Sequence, residues 1–132
     1  MDDGSNGRNG CKLAHIFELQ KKFSQRLAID MDALDDQKRM FWVLNYVRAM
    51  QQELAELTDS LPWKWWANYQ HFDLQNAKVE VVDILHFLIS TAQALGMSCD
   101  ELYEKFCKKN EVNHARQDSG YSKKDDDDAK HI

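Results

Sequence analysis

One proline, Pro62, stands in the 132 residues, and of only five glycines four lie near the ends. Proline and glycine cost a helix interior more than any other residue, so long helices are allowed almost throughout. No hairpin signal and no repeat of solenoid length competes with that reading. The sequence therefore predicts an all-α fold, a four-to-five-helix bundle. The first helix runs from about Leu13 to Ile29, with Leu13, Ile16, Phe17, Phe23 and Leu27 forming a rough apolar stripe. The second runs from Asp36 to Ser60, capped by Asp35 or Asp36 and ended by Pro62, with Phe41, Leu44, Val47, Met50, Leu54 and Leu57 on its apolar side. The third spans Asp73 to Leu95, with Gly96 as the residue that closes it. A fourth starts at Ser98, where Glu101 completes a capping-box signature, and reaches about Arg116.

Residues 1–12 read as a flexible arm, residues 13–121 as one domain and residues 122–132 as a polar acidic tail. The net charge of −5 argues against sequence-independent binding to nucleic acid, which needs a basic surface. No apolar stretch is long enough to span a membrane, and the first ten residues lack the apolar region of a signal peptide. Cys11, Cys99 and Cys107 form no CxxC pair and are odd in number, so they read as free thiols in a reducing, cytoplasmic setting. The core is modest for this length, and a homo-oligomer would help bury the apolar helix faces.

Two pairs of acids carry the chemistry. Glu53 and Glu56 lie three residues apart on the second helix, and Glu80 and Asp83 do so on the third, so each pair shares a helix face. A lone pair of this kind is most often a solvated face. The second pair is different, because it interrupts the run from Val79 to Ile89, which is otherwise nearly all apolar. A buried, unpartnered carboxylate costs several kcal/mol or takes up a proton. Successive helices joined by a short connection tend to pack against each other, which brings the two pairs together. Four facing carboxylates call for a hard divalent cation, Mg²⁺ being the common one, and such a cluster suits phosphoryl chemistry.

Other residues carry weaker signals. The loop holds Trp63, Lys64, Trp65 and Trp66, and its tryptophans fit core anchors, an oligomer interface or a wall beside a planar base; interface or core is the default. Lys109, Asn113 and Arg116 fall on one side of the fourth helix, with Tyr121 just beyond. Lysine and arginine can bind phosphate and asparagine can read a base edge, yet a solvated helix end is the plainer reading. His86 shares the face of Asp83, either as a satisfied core histidine or as a partner behind the acids.

Taken together, these segments resemble the all-α nucleotide pyrophosphohydrolases, closest to the dimeric dUTPases and the phage dCTPase/dUTPase relatives, with the MazG proteins more distant. The carrying stretches are Glu53 to Trp66, Val79 to Phe87 and Lys109 to Tyr121, with a shorter likeness at Phe17 to Gln20. The resemblance implies hydrolysis of a deoxynucleoside triphosphate, dUTP first, to the monophosphate and pyrophosphate. It implies Mg²⁺, with Mn²⁺ as a substitute, on Glu53, Glu56, Glu80 and Asp83. Glu53 or Glu56 would also orient or deprotonate the attacking water. Lys109, Arg116 and Tyr121 match phosphate-binding positions, and Lys64 would join them. Gln20 and Asn113 match positions near the base, and Trp63 would help shape the nucleoside pocket.

The chain departs from the family at two places. Ser24 stands where the family usually has asparagine, which bears on base preference. A late glycine-rich segment with a further lysine is replaced by Ser122 to Asp128, where Lys123 or Lys124 would have to substitute. The chain is short for a dimeric dUTPase, so a partner subunit is expected to complete the site. The rival readings are dCTP or another dNTP as substrate, and a catalytically silent helical module that binds nucleotide or uses its tryptophans as a protein interface.

Overall fold

A computed structural model describes residues 10–120 and Ile132. Residues 1–9, most of the expected arm, and residues 121–131, most of the expected tail together with Tyr121, lie outside the described residues, and with them Lys123 and Lys124. Four helices are present: α1 (Lys12–Arg26), α2 (Asp36–Asp59), α3 (Leu74–Ala94) and α4 (Cys99–Asp118). No strand occurs among the described residues. The fold is all-α, as the scarcity of helix breakers implies.

Local chemistry sets the helix ends. The side chains of Asp35, Asp73 and Ser98 cap α2, α3 and α4 by accepting from the backbone N–H of Lys38 (2.8 Å), Asn76 (3.0 Å) and Glu101 (3.1 Å). Each satisfies one of the donors that a helix leaves orphaned at its start. Gly96 follows α3 at φ 80°, a left-handed conformation that glycine adopts without penalty. α1 ends at Arg26, three residues before the expected end at Ile29. There Ala28 takes φ 60°, Ala28 N–H donates to the Gln25 carbonyl (3.0 Å) and Ile29 N–H to that of Ser24 (2.9 Å). This is the Schellman closure, made here without glycine.

The chain divides into two compact units after Gly96. In the first, α3 packs against α2 and α1. Ile29, Met31 and Ala94 form a buried cluster against which Leu34, Trp42, Val43 and Tyr46 pack. The face of α2 that meets the core is thus the Trp42–Tyr46 side, where the two rings stack at 5.8 Å. Phe41, Leu44 and Leu54 of the expected apolar side are exposed instead. Gln93 ties α3 to α1 through its side-chain N–H on the Phe17 carbonyl (2.8 Å). The second unit consists of α4 and its flanks. No single described helix is long and apolar enough to cross a membrane.

Candidate functional site: three carboxylates between two cavities

The stem of the site is the join between α2 and α3. Ser60 follows the last turn of α2, and its carbonyl accepts from Asp73 N–H at 2.8 Å, closing the intervening loop. Asn76, in the first turn of α3, donates from Nδ2 to Ser60 Oγ (2.7 Å) and to Glu80 Oε1 (3.3 Å). Glu80 is buried, and its second oxygen, Oε2, is fully covered and has no hydrogen-bond partner. An orphaned carboxylate oxygen in such a place is a strong demand for a cation or a proton.

Two more carboxylates converge on it. Glu53 of α2 and Glu80 and Asp83 of α3 each offer an oxygen, and these atoms all lie within 4.8 Å of one another. The consequence is visible in Glu53. Its carboxyl is pushed from 4.5 up to about 7, first by the facing Glu80 carboxylate, then by burial, then by Glu56 and Asp83. Like charges this close cannot all ionise unless something positive joins them. Three convergent carboxylate oxygens, on a set that includes a buried, unpaired oxygen of Glu80, fit a hard divalent ion of the Mg²⁺ type. Glu56 stands beside Glu53 but outside that trio. It is exposed and lines the neighbouring polar cavity.

The acids sit between two cavities of similar size. One, of about 570 Å³, is polar and takes its walls from Glu56, Glu80, Asn76 and the loop after α2, including Trp63, Lys64 and His71. The loop is held by its own side chains. Trp63 Nε1 donates to Asp59 Oδ1 (3.1 Å), and the Gln70 amide bonds both the N–H and the carbonyl of Lys64. Lys64 Nζ lies 5.6 Å from the centre of the Trp63 ring. Trp63, Trp65 and Trp66 meet edge to face and stay exposed, Trp65 at 88%, which removes the core-anchor reading.

The other cavity, of about 530 Å³, is lined by Leu19, Gln20, Phe23, Glu53, Asp83, His86 and Phe87. Its polar edge is ordered. Gln20 Nε2 donates to Ser90 Oγ at 2.8 Å, and His86 Nδ1 stands 2.8 Å from Gln20 Oε1. Behind them stands the Tyr46 hydroxyl; burial raises its pKa, and the neighbouring Ser90 and Ser24 hydroxyls oppose the rise. Ser24 is buried beneath this network, so the departure from asparagine is absorbed by contact with Tyr46 rather than displayed on the cavity wall.

An ordered polar edge, aromatic walls and a carboxylate trio thus lie side by side in the first unit. Comparison with known proteins places the chain in a family. The dUTPase family matches residues 12–94 and 89–121. The chain belongs to this dUTPase family. Its curated relatives include the dCTP pyrophosphatase of Enterobacteria phage T4, 30% identical over 80 residues that make up 61% of this chain and 40% of that protein. The dCTP pyrophosphatase of Enterobacteria phage LZ5 is 33% identical over 80 residues, 51% of this chain and 46% of that one. The alignments thus span less than half the length of these relatives. No solved structure matches the chain.

Within the dUTPase family frame, the structure brings Gln20, Glu53, Asp83 and His86 to one cavity, and Glu56, Trp63, Lys64 and Glu80 to the other. Lys109, Asn113 and Arg116 belong to the second unit, on α4, where Arg116 Nη1 donates to Asn113 Oδ1 at 3.4 Å. Sequence reasoning missed Asn76, Ser60, Tyr46, Ser90 and Gln70. The one signal available was an asparagine four residues before Glu80, which puts its amide on the acid's face of the helix.

Proposed function

We propose that this member of the dUTPase family is a Mg²⁺-dependent pyrophosphohydrolase that converts a deoxynucleoside triphosphate, dUTP first, to the monophosphate and pyrophosphate. The observation that carries the reading is the trio of Glu53, Glu80 and Asp83, Glu80 with a buried, unpartnered oxygen, placed between a polar and an aromatic cavity. Glu53, Glu80 and Asp83 would hold the metal, with Glu56 as the remaining acid of the set; Mn²⁺ would bind the same oxygen donors. The bound ion would neutralise phosphate oxygens and acidify water. Glu56, exposed on the polar cavity, is positioned to orient a water or take its proton. Lys64 faces the same cavity and adds positive charge for the phosphates. Lys109, Arg116 and Tyr121 would add phosphate contacts and Asn113 a base contact, from this chain or a neighbouring copy. Phe23 and Phe87 would sandwich the base, with Gln20 at its edge.

The names of the phage relatives favour dCTP as the second reading. The setting proposed is the cytoplasm, where the three thiols stay reduced, and the assembly a homodimer or higher homo-oligomer. The test is a panel of dUTP, dCTP and the other dNTPs at fixed Mg²⁺, with products identified. Pyrophosphate and dUMP or dCMP should appear, and Asp83→Asn should fold yet lose turnover. No hydrolysis and no Mg²⁺-dependent nucleotide binding would leave a silent helical module.

A further inference from the structure

Gln20 is over nine-tenths buried, yet it forms part of the wall of the aromatic cavity. An amide there can face a base in two ways, as donor or as acceptor, and the choice decides which base edges it accepts. The structure fixes that choice. Gln20 Oε1 can only accept, so the 2.8 Å contact requires the hydrogen of His86 to sit on Nδ1. One N–H of Nε2 is spent on Ser90 Oγ at 2.8 Å. Ser90 is itself 2% exposed on the core side of α3, so its hydroxyl is held in place. What remains for the cavity is the second N–H of Gln20.

We propose that His86 is a positioning residue for base recognition: it pins the Gln20 amide so that the cavity meets an N–H donor. The ligand edge it suits carries a lone pair, a carbonyl oxygen or an unprotonated ring nitrogen. Without His86 the amide is free to turn and show its oxygen, which repels that edge. This rests on the nucleotide reading above. The alternative role for His86, support for the metal ligands, predicts a different kinetic signature, because losing it would lower kcat.

The test is a double-mutant cycle on the best dNTP of the panel, with Mg²⁺ saturating. His86→Phe and His86→Ala should each raise KM about tenfold and leave kcat within about twofold, as expected for lost ground-state and transition-state binding alike. Gln20→Ala should raise KM to a similar degree. In the Gln20→Ala background, His86→Phe should add less than about twofold, because the two residues act as one unit. His86→Asn, whose amide N–H reaches the place of Nδ1–H, should restore KM. His86 is exposed, so these replacements leave the core untouched. Additive effects, a loss confined to kcat, or His86→Asn as impaired as His86→Phe would each overturn the role. If the unaltered chain hydrolyses no dNTP, the nucleotide reading falls and this inference with it; if it hydrolyses one and the cycle is additive, only the role of His86 falls.

Discussion

At the carboxylate trio the contact that sets direction is a modest one, the 3.3 Å bond from Asn76 Nδ2 to Glu80 Oε1, backed by the 2.7 Å bond from the same nitrogen to Ser60 Oγ. It occupies one oxygen of Glu80 and leaves the other free and buried. Asn76→Ala should therefore keep the fold while the carboxylate loses its aim, and Mg²⁺ affinity by calorimetry should fall about 10- to 100-fold, the range for outer partners of metal ligands. Unchanged affinity would mean that Glu80 is aimed by burial alone. A second expectation concerns protons. Glu53 is raised from 4.5 to about 7. Between those values the folded chain keeps a proton that the unfolded chain has released. The contribution of this group to stability is thus full below about pH 4.5 and lost as pH rises through about 7. Melting temperatures of the metal-free chain should fall across that window, Glu53→Gln should flatten the fall, and Mg²⁺ should stabilise more at the alkaline end. The trio was legible in the sequence because Glu80 and Asp83 interrupt an apolar run. Asn76 and Ser60 were not, since both are ordinary residues for a helix start and a helix end. Nor was the Ser24–Tyr46 contact, which joins residues of different helices that no local pattern pairs.

The helix ends divide according to whether a special residue marks them. Asp35, Asp73, Ser98 and Gly96 announce their roles by type, and the structure uses all four. The end of α1 has no such mark. Ala28 looks like a helix former and its neighbours continue the stripe, yet it turns left-handed at φ 60° so that Ile29 can reach the core. A methyl-bearing residue pays for that conformation with about 1–2 kcal/mol, part of which glycine returns as unfolded-chain entropy. Ala28→Gly should then stabilise the chain by about 0.5–1 kcal/mol in chemical denaturation, with the slope unchanged. A destabilised variant would show that the Ala28 side chain makes a contact worth more than the strain. The loop after α2 was legible only as a tryptophan cluster, because its order comes from Gln70 folding back on Lys64, a contact that spacing does not announce.

Across the first unit, large apolar side chains stand exposed on two helices. Phe41 (58% exposed), Leu44 (50%) and Leu54 (49%) mark the uncovered side of α2, and Val81 (56%), Leu85 (39%) and Leu88 (47%) form a stripe at helical spacing on α3. The hydrophobic pattern of the sequence read part of this surface as core, correctly in chemistry but not in place within the first unit. Patches of this size on soluble proteins usually mark an interface. A second copy is the simplest cover, because the same stripes recur on it and a two-fold axis pairs like with like. Light scattering on the unaltered chain should then give at least twice the monomer mass of 15.5 kDa. Replacing Val81 and Leu88 together by lysine should drive it towards monomer, because each buried cation would have to be desolvated without a partner. Neither residue lines the two cavities around the acids, so Mg²⁺ binding by the trio should persist in the monomer while hydrolysis falls if a neighbouring copy completes the site. A chain that is monomeric from the start would place the whole of the site within a single copy.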